Sequence, residues 1–142
     1  MELLPLAESI GRLIAGGVLL AAGLVKLRIG PQSFARAILD YRLIPSALAV
    51  PLARALPLME ILIGAALLSG LFVRPAALAG AALLVIFSGA IAAALARGQR
   101  NACGCGVGVG AQRGVVSRRL IARNAFLTAL LLVAYIGTEG VR

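Results

Sequence analysis

Residues 75–96 read PAALAGAALLVIFSGAIAAALA, without one charged side chain. A helix rises 1.5 Å per residue and the hydrocarbon core of a bilayer is about 30 Å thick, so about 20 such residues cross it. Backbone polar groups in lipid must be satisfied within the segment, which makes the stretch a helix rather than an open strand. Three more runs share its character, so the expected spans are about 10–27, 51–73, 75–96 and 120–136. The composition agrees: the 142-residue chain is 61% hydrophobic, against about 45–50% for a soluble domain, and its mean hydropathy is +1.03. The expectation is an all-α integral membrane protein, a four-helix bundle forming a single domain over 1–142. Before the first run stand Glu2 and Glu8 and no basic residue, so the positive start of a secretory signal is missing and the run is read as a retained helix.

Small residues stud these runs. Gly17 and Ala21, Ala66 and Gly70, Ala76 and Gly80, and Ser88 and Ala92 each stand four apart, a spacing that lets membrane helices approach closely. Between the first two runs, Pro31 opens a stretch in which Phe34, Ile38 and Tyr41 share a stripe while Arg36 and Asp40 lie elsewhere. That pattern predicts a short amphipathic helix at the membrane surface, ended by Pro45, or an ordinary connecting helix with a packing role. Arg74-Pro75 reads as the turn of a tight hairpin, and Ser117 as the N-cap of the last helix.

The net charge is +9. A nucleic-acid partner is excluded because no soluble domain exists to carry such a site, which leaves the lipid bilayer as the expected surroundings. The basic residues report topology instead. Lys26, Arg28, Arg36, Arg42, Arg54, Arg97, Arg100, Arg113, Arg118, Arg119 and Arg123 belong to the first and third loops or their edges, and only Arg12, Arg74 and Arg142 to the other side. The positive-inside rule places those two loops in the cytoplasm and both termini outside.

The third loop carries Cys103-Gly104-Cys105, the only two cysteines, among glycines and arginines. A disulfide between residues i and i+2 closes a small, strained ring that is easily reduced. Gly104 supplies backbone freedom, and Arg100 and Arg113 would favour thiolate. These features fit an exchanging dithiol as catalytic pair; the alternative is two idle thiols. Zinc normally takes four ligands from cysteine, histidine or carboxylate. The chain has no histidine, so no metal is expected unless two copies pool their pairs.

Glu60 lies inside the second run, where an ionisable group is costly and usually paired or functional. Lys26, Arg54, Arg123 and Asn124 fall in the same half of the membrane. One reading is a polar pocket beneath the dithiol for a quinone head group, a persulfide or a partner cysteine. The other is an ion pair of Glu60 with Lys26 or Arg123 that locks the helices. Pro57 frees a carbonyl one turn earlier and predicts a kink beside Glu60.

Taken in order, the pieces resemble a known family. Gly23-Leu24-Val25-Lys26-Leu27, then Phe34-Ala35, then Tyr41-Arg42-Leu43-Ile44-Pro45, is similar to the opening of the methylamine-utilisation MauE proteins and the wider DoxX-like group. Leu56-Pro57-Leu58-Met59-Glu60, Cys103-Gly104-Cys105-Gly106 and Ser117 through Arg123-Asn124 continue the likeness over nearly the whole chain. The resemblance implies a multi-pass protein of the bacterial cytoplasmic (inner) membrane. It further implies disulfide chemistry during maturation of methylamine dehydrogenase or another disulfide-rich enzyme, with a thioredoxin-like or other soluble redox partner. Quinone-linked disulfide generators relay electrons through more than one cysteine pair, usually including a CxxC; this chain has one pair, spaced CxC. Maturation outside the cytoplasm also needs outward cysteines, whereas the charge count turns them inward. Three functions follow: a membrane thiol–disulfide redox protein, a non-catalytic subunit docking a soluble redox or sulfur-transfer enzyme, and a small transporter or sulfur carrier using the Glu60 pocket.

Overall fold

The computed structural model describes residues 3–99 and 117–138. Every regular element among them is helical: α1 spans Leu3–Ile29, α2 Pro31–Asp40, α3 Ser46–Ser69, α4 Val73–Ala96 and α5 Arg118–Gly137. α1, α3, α4 and α5 are each long and apolar enough to cross a membrane. The chain is a multi-pass, all-α membrane protein.

Helix ends depart from the hydropathy pattern for local reasons. α1 begins at Leu3 rather than near Ile10, because Glu8 lowers hydropathy without breaking a helix. Gly30 adopts φ 91 and separates α1 from α2, a backbone that favours glycine. α2 stops at Asp40, and Pro45 is not its terminator: it is the extended N-cap residue of α3. α3 therefore starts at Ser46 and carries both Pro51 and Pro57 inside it. It ends one turn early because Gly70 takes the left-handed conformation, φ 76. The reversal into α4 is Gly70–Phe72, with Phe72 also left-handed, φ 53. Arg74 and Pro75 are not the turn; they lie in the first turn of α4, where a missing N–H has no helical partner to lose. Ser117 is the N-cap residue of α5, in extended backbone, but its side chain makes no capping bond.

The spanning helices form a ring in which α1 packs on α3 and α5, and α4 packs on α5 and α3. Leu19, Ile63, Leu67 and Leu131 fill its centre. Lipid tails are as apolar as these side chains, so close packing rather than water exclusion holds such a ring together. Glycine makes the α1–α3 seam tight. A Cβ built on Gly64 would lie 2.7 Å from the Leu20 nitrogen and 2.8 Å from the Gly16 oxygen, and one on Gly23 would lie 2.7 Å from the Pro57 oxygen. Gly17 is not part of the seam: nothing lies within 4 Å of its built Cβ. The pair expected at Gly17 and Ala21 thus sits one residue out of phase with the contact.

The two ends of the ring differ. At one, which we call the α2 end, α1 and α4 stop and α3 and α5 begin. There α2 packs on α3 through Phe34 and Ala35 against Ala49 and Ala53, leaving Gln32, Ser33, Arg36 and Asp40 exposed. At the opposite end the Arg12 guanidinium donates to the Leu67 carbonyl, 3.0 Å, satisfying an orphan acceptor of the last turn of α3. Arg74 donates to the Tyr135 hydroxyl at 3.1 Å and lies 4.8 Å from that ring, tying α4 to α5.

Candidate functional site

Polar side chains converge inside the bundle near the α2 end. Lys26 comes from the last turn of α1, Glu60 from the middle of α3, and Arg123 and Asn124 from the second turn of α5. Lys26 is 2% exposed, Glu60 1% and Asn124 2%. The Lys26 ammonium donates to Glu60 Oε1 in a buried ion pair. It also lies 4.8 Å from the Phe87 ring centre and 5.6 Å from that of Phe34, within the range where a cation is drawn to a ring face. Arg123 turns to its neighbour, donating from Nη2 to Asn124 Oδ1 at 3.2 Å, although its charge still acts on both Lys26 and Glu60. Glu60 Oε2 and Arg123 Nε are buried without a hydrogen-bond partner among the described residues. The cluster thus holds two cations against one carboxylate.

Arg54, expected in the same half of the membrane as Glu60, is exposed. Six residues make about one and two-thirds helical turns, which sets Arg54 about 120° around α3 from Glu60. Pro57 is buried in the seam, and its carbonyl faces Gly23. Phe87 is a member of the site that the sequence reading missed. Its only signal is that it is the sole aromatic residue in the run 75–96. Cys103, Cys105, Arg100 and Arg113 lie outside the described residues. α4, which precedes them in the sequence, ends at the α2 end, and α5, which follows them, begins there.

Phe34 and Phe87 have a second role. They wall an apolar groove of about 310 Å³ between α2, α3 and α4, lined also by Ile38, Leu52, Leu56 and Ala90. Neither Lys26 nor Glu60 is among its lining residues. The rings therefore separate the ion pair from the groove, and the groove offers a quinone head group neither of those charges.

Tyr41 closes the α2 end. Its ring packs on Ile91 and Ala94, and its carbonyl accepts a bond from Arg97 Nη2 at 2.6 Å. Its hydroxyl is buried with no partner among the described residues, and burial pushes its pKa up to about 12. An unmet buried polar group is costly, so Tyr41→Phe is expected to raise stability by about 1 kcal/mol. Thermal unfolding in detergent measures this. A loss of stability would mean that the hydroxyl is bonded after all.

The family model described as methylamine utilisation protein MauE matches residues 4–137. The chain belongs to the MauE family. The match runs through Lys26, Glu60, Arg123 and Asn124 and through both cysteines. Among MauE proteins, one from Paracoccus denitrificans is 33% identical over 126 residues, covering 89% of this chain and 67% of that protein. Another, from Methylophilus methylotrophus, is 36% identical over 102 residues, covering 71% of this chain and 53% of that protein. This MauE-family chain thus spans about half to two thirds of the length of these relatives. No solved structure matches it.

Proposed function

We propose that this protein is a membrane thiol–disulfide redox protein of methylamine utilisation, with Cys103 and Cys105 as the exchanging pair. The observation that carries the proposal is that a MauE-family chain has two cysteines only, separated by a single glycine in the stretch of sequence between α4 and α5. In the forward step a client thiolate attacks the Cys103–Cys105 disulfide and forms a mixed disulfide. The client's second thiolate then displaces the protein sulfur. The client leaves with its disulfide made, and two electrons and two protons remain on the Cys103–Cys105 dithiol. A thioredoxin-like soluble protein is the proposed exchange partner, and a membrane-soluble quinone is the class of acceptor that would take the electrons. The client proposed is a disulfide-rich redox enzyme such as methylamine dehydrogenase. Lys26 and Glu60 serve in this reading by holding α1 and α3 together.

The test is a cysteine series. Cys103→Ser, Cys105→Ser and the double variant are each expected to abolish growth on methylamine and accumulation of disulfide-complete client. Helix content and membrane yield should not change, since both cysteines lie outside the four apolar runs of the sequence. Full activity in the double-serine variant would replace the redox reading with a docking one.

Orientation is a separate proposal that rests on charge, and a client matured outside the cytoplasm would require the opposite one. Nine described basic residues gather toward the α2 end and two, Arg12 and Arg74, toward the other, so we assign the α2 end to the cytoplasmic face of the bacterial inner membrane. A reporter that works only in the periplasm, fused after Arg142, is expected to be active. An inactive periplasmic fusion beside an active cytoplasmic one overturns the assignment and turns the cysteine loop outward.

A further inference from the structure

We propose that the groove between α2, α3 and α4 holds one acyl chain of an anionic phospholipid, with the lipid phosphate on Arg42 and Arg97. This goes beyond the redox reading and stands apart from it.

The groove is apolar almost throughout, with Phe34, Ile38, Leu52 and Ala90 among its walls. The groove offers water almost no polar partner, and an acyl chain is the apolar filler that a bilayer supplies. A second, polar pocket of about 490 Å³ is lined by Leu39, Asp40, Arg42, Arg97 and Gln99. Tyr41 joins the two: its ring lines the groove, while its carbonyl holds the Arg97 guanidinium at 2.6 Å. Arg42 follows it directly and precedes Leu43 and Ile44, both groove residues. Arg42 sits in left-handed backbone, φ 53, which disfavours a side chain such as arginine. The turn therefore puts a cation between groove-lining residues at a conformational cost.

Charge complementarity selects the head group. Arg28, Arg36, Arg42 and Arg97 are all exposed at this end. Asp40, the acid in the polar pocket, is engaged in an interaction and is outnumbered by these four cations. A phosphate without a compensating ammonium fits this surface better than a zwitterionic head group does. An acyl chain in the groove and a phosphate at its mouth would make one continuous lipid site.

The experiment uses the full chain in detergent micelles, titrated with phosphatidylglycerol or phosphatidylcholine of identical acyl chains and read by native mass spectrometry. The expected result is one phosphatidylglycerol held more tightly than phosphatidylcholine. Arg42→Gln should weaken phosphatidylglycerol about fivefold and leave phosphatidylcholine unchanged. Arg54→Gln, which removes an exposed cation at the same end but outside both pockets, should change neither. Ala90→Trp fills the groove and should abolish the single tight site while far-UV dichroism shows the helices intact. Leu52→Phe gives the same test should Ala90→Trp fail to fold. Equal affinity for the two lipids, or undiminished phosphatidylglycerol binding in a folded groove-filled variant, overturns the proposal. So does a dimer of this chain that excludes lipid from the groove.

Discussion

Glu60→Ala is expected to lower the unfolding free energy by about 3–5 kcal/mol, the largest single effect anticipated for any side chain outside the cysteine loop. The size follows from what is left behind. Glu60 and Lys26 are each about 2% exposed or less, so neither can reach water while the bundle holds. Removing the carboxylate strands an ammonium in the seam beside Arg123, whose charge is of the same sign. Glu60→Gln should cost less, because the amide oxygen can still accept from the ammonium. A double variant, Lys26→Met with Glu60→Met, should recover most of the loss, since an apolar replacement of a buried pair is often close to neutral. Unfolding in mixed micelles, followed by helix content, measures all three. A Glu60→Ala protein within 1 kcal/mol of the parent would show that the pair is not a structural lock. Failure of the double variant to recover would give the pair a role beyond stability.

Gly64→Ala is the second large effect, expected to cost about 1–3 kcal/mol for the addition of one methyl group. The new Cβ would stand 2.7 Å from a backbone nitrogen and 2.8 Å from a backbone oxygen of α1. Backbone cannot swing aside as a long side chain can, so α1 and α3 must separate. The separation would also draw Lys26 away from Glu60, since those residues ride on the same two helices. Gly17→Ala is the matched control. Its Cβ enters open space, and alanine gains up to about 1 kcal/mol of helix propensity over glycine. The same chemical change should therefore destabilise at position 64 and stabilise at position 17, compared by melting temperature in one detergent. Equal responses at both positions would mean that the seam is looser than its distances suggest.

Much of this molecule is legible in its sequence because lipid imposes a strict length and polarity rule. The four spans stand out, and so does α2, where Phe34 and Tyr41 turn inward while Arg36 and Asp40 stay outside. Lys26, Glu60, Arg123 and Asn124 are conspicuous for the same reason: polar side chains are rare among apolar neighbours. What hydropathy cannot supply is rotation about each helix axis. Core and lipid are equally apolar, so nothing in composition separates Gly16, which faces Leu67, from Gly17, which faces nothing. The same blindness hides that Arg54 faces outward while Glu60 faces inward, and it passes over Phe87. Helix ends were misplaced where backbone conformation overrode hydropathy, at Gly70 and Phe72 above all.

The ion pair also has a history within each molecule. Lys26 leaves the ribosome 34 residues before Glu60, which at 5–20 residues per second is roughly 2–7 s. For that interval α1 carries a charged group with no counter-ion. Its place in the final turn of the helix makes the delay tolerable, because a long lysine stem can hold the ammonium at the head-group level. Glu60, buried mid-helix with a shorter stem, has no such refuge, but by the time it enters the bilayer the cation that meets it has already been made. The order in which the two charges are synthesised suits the depth that each must occupy.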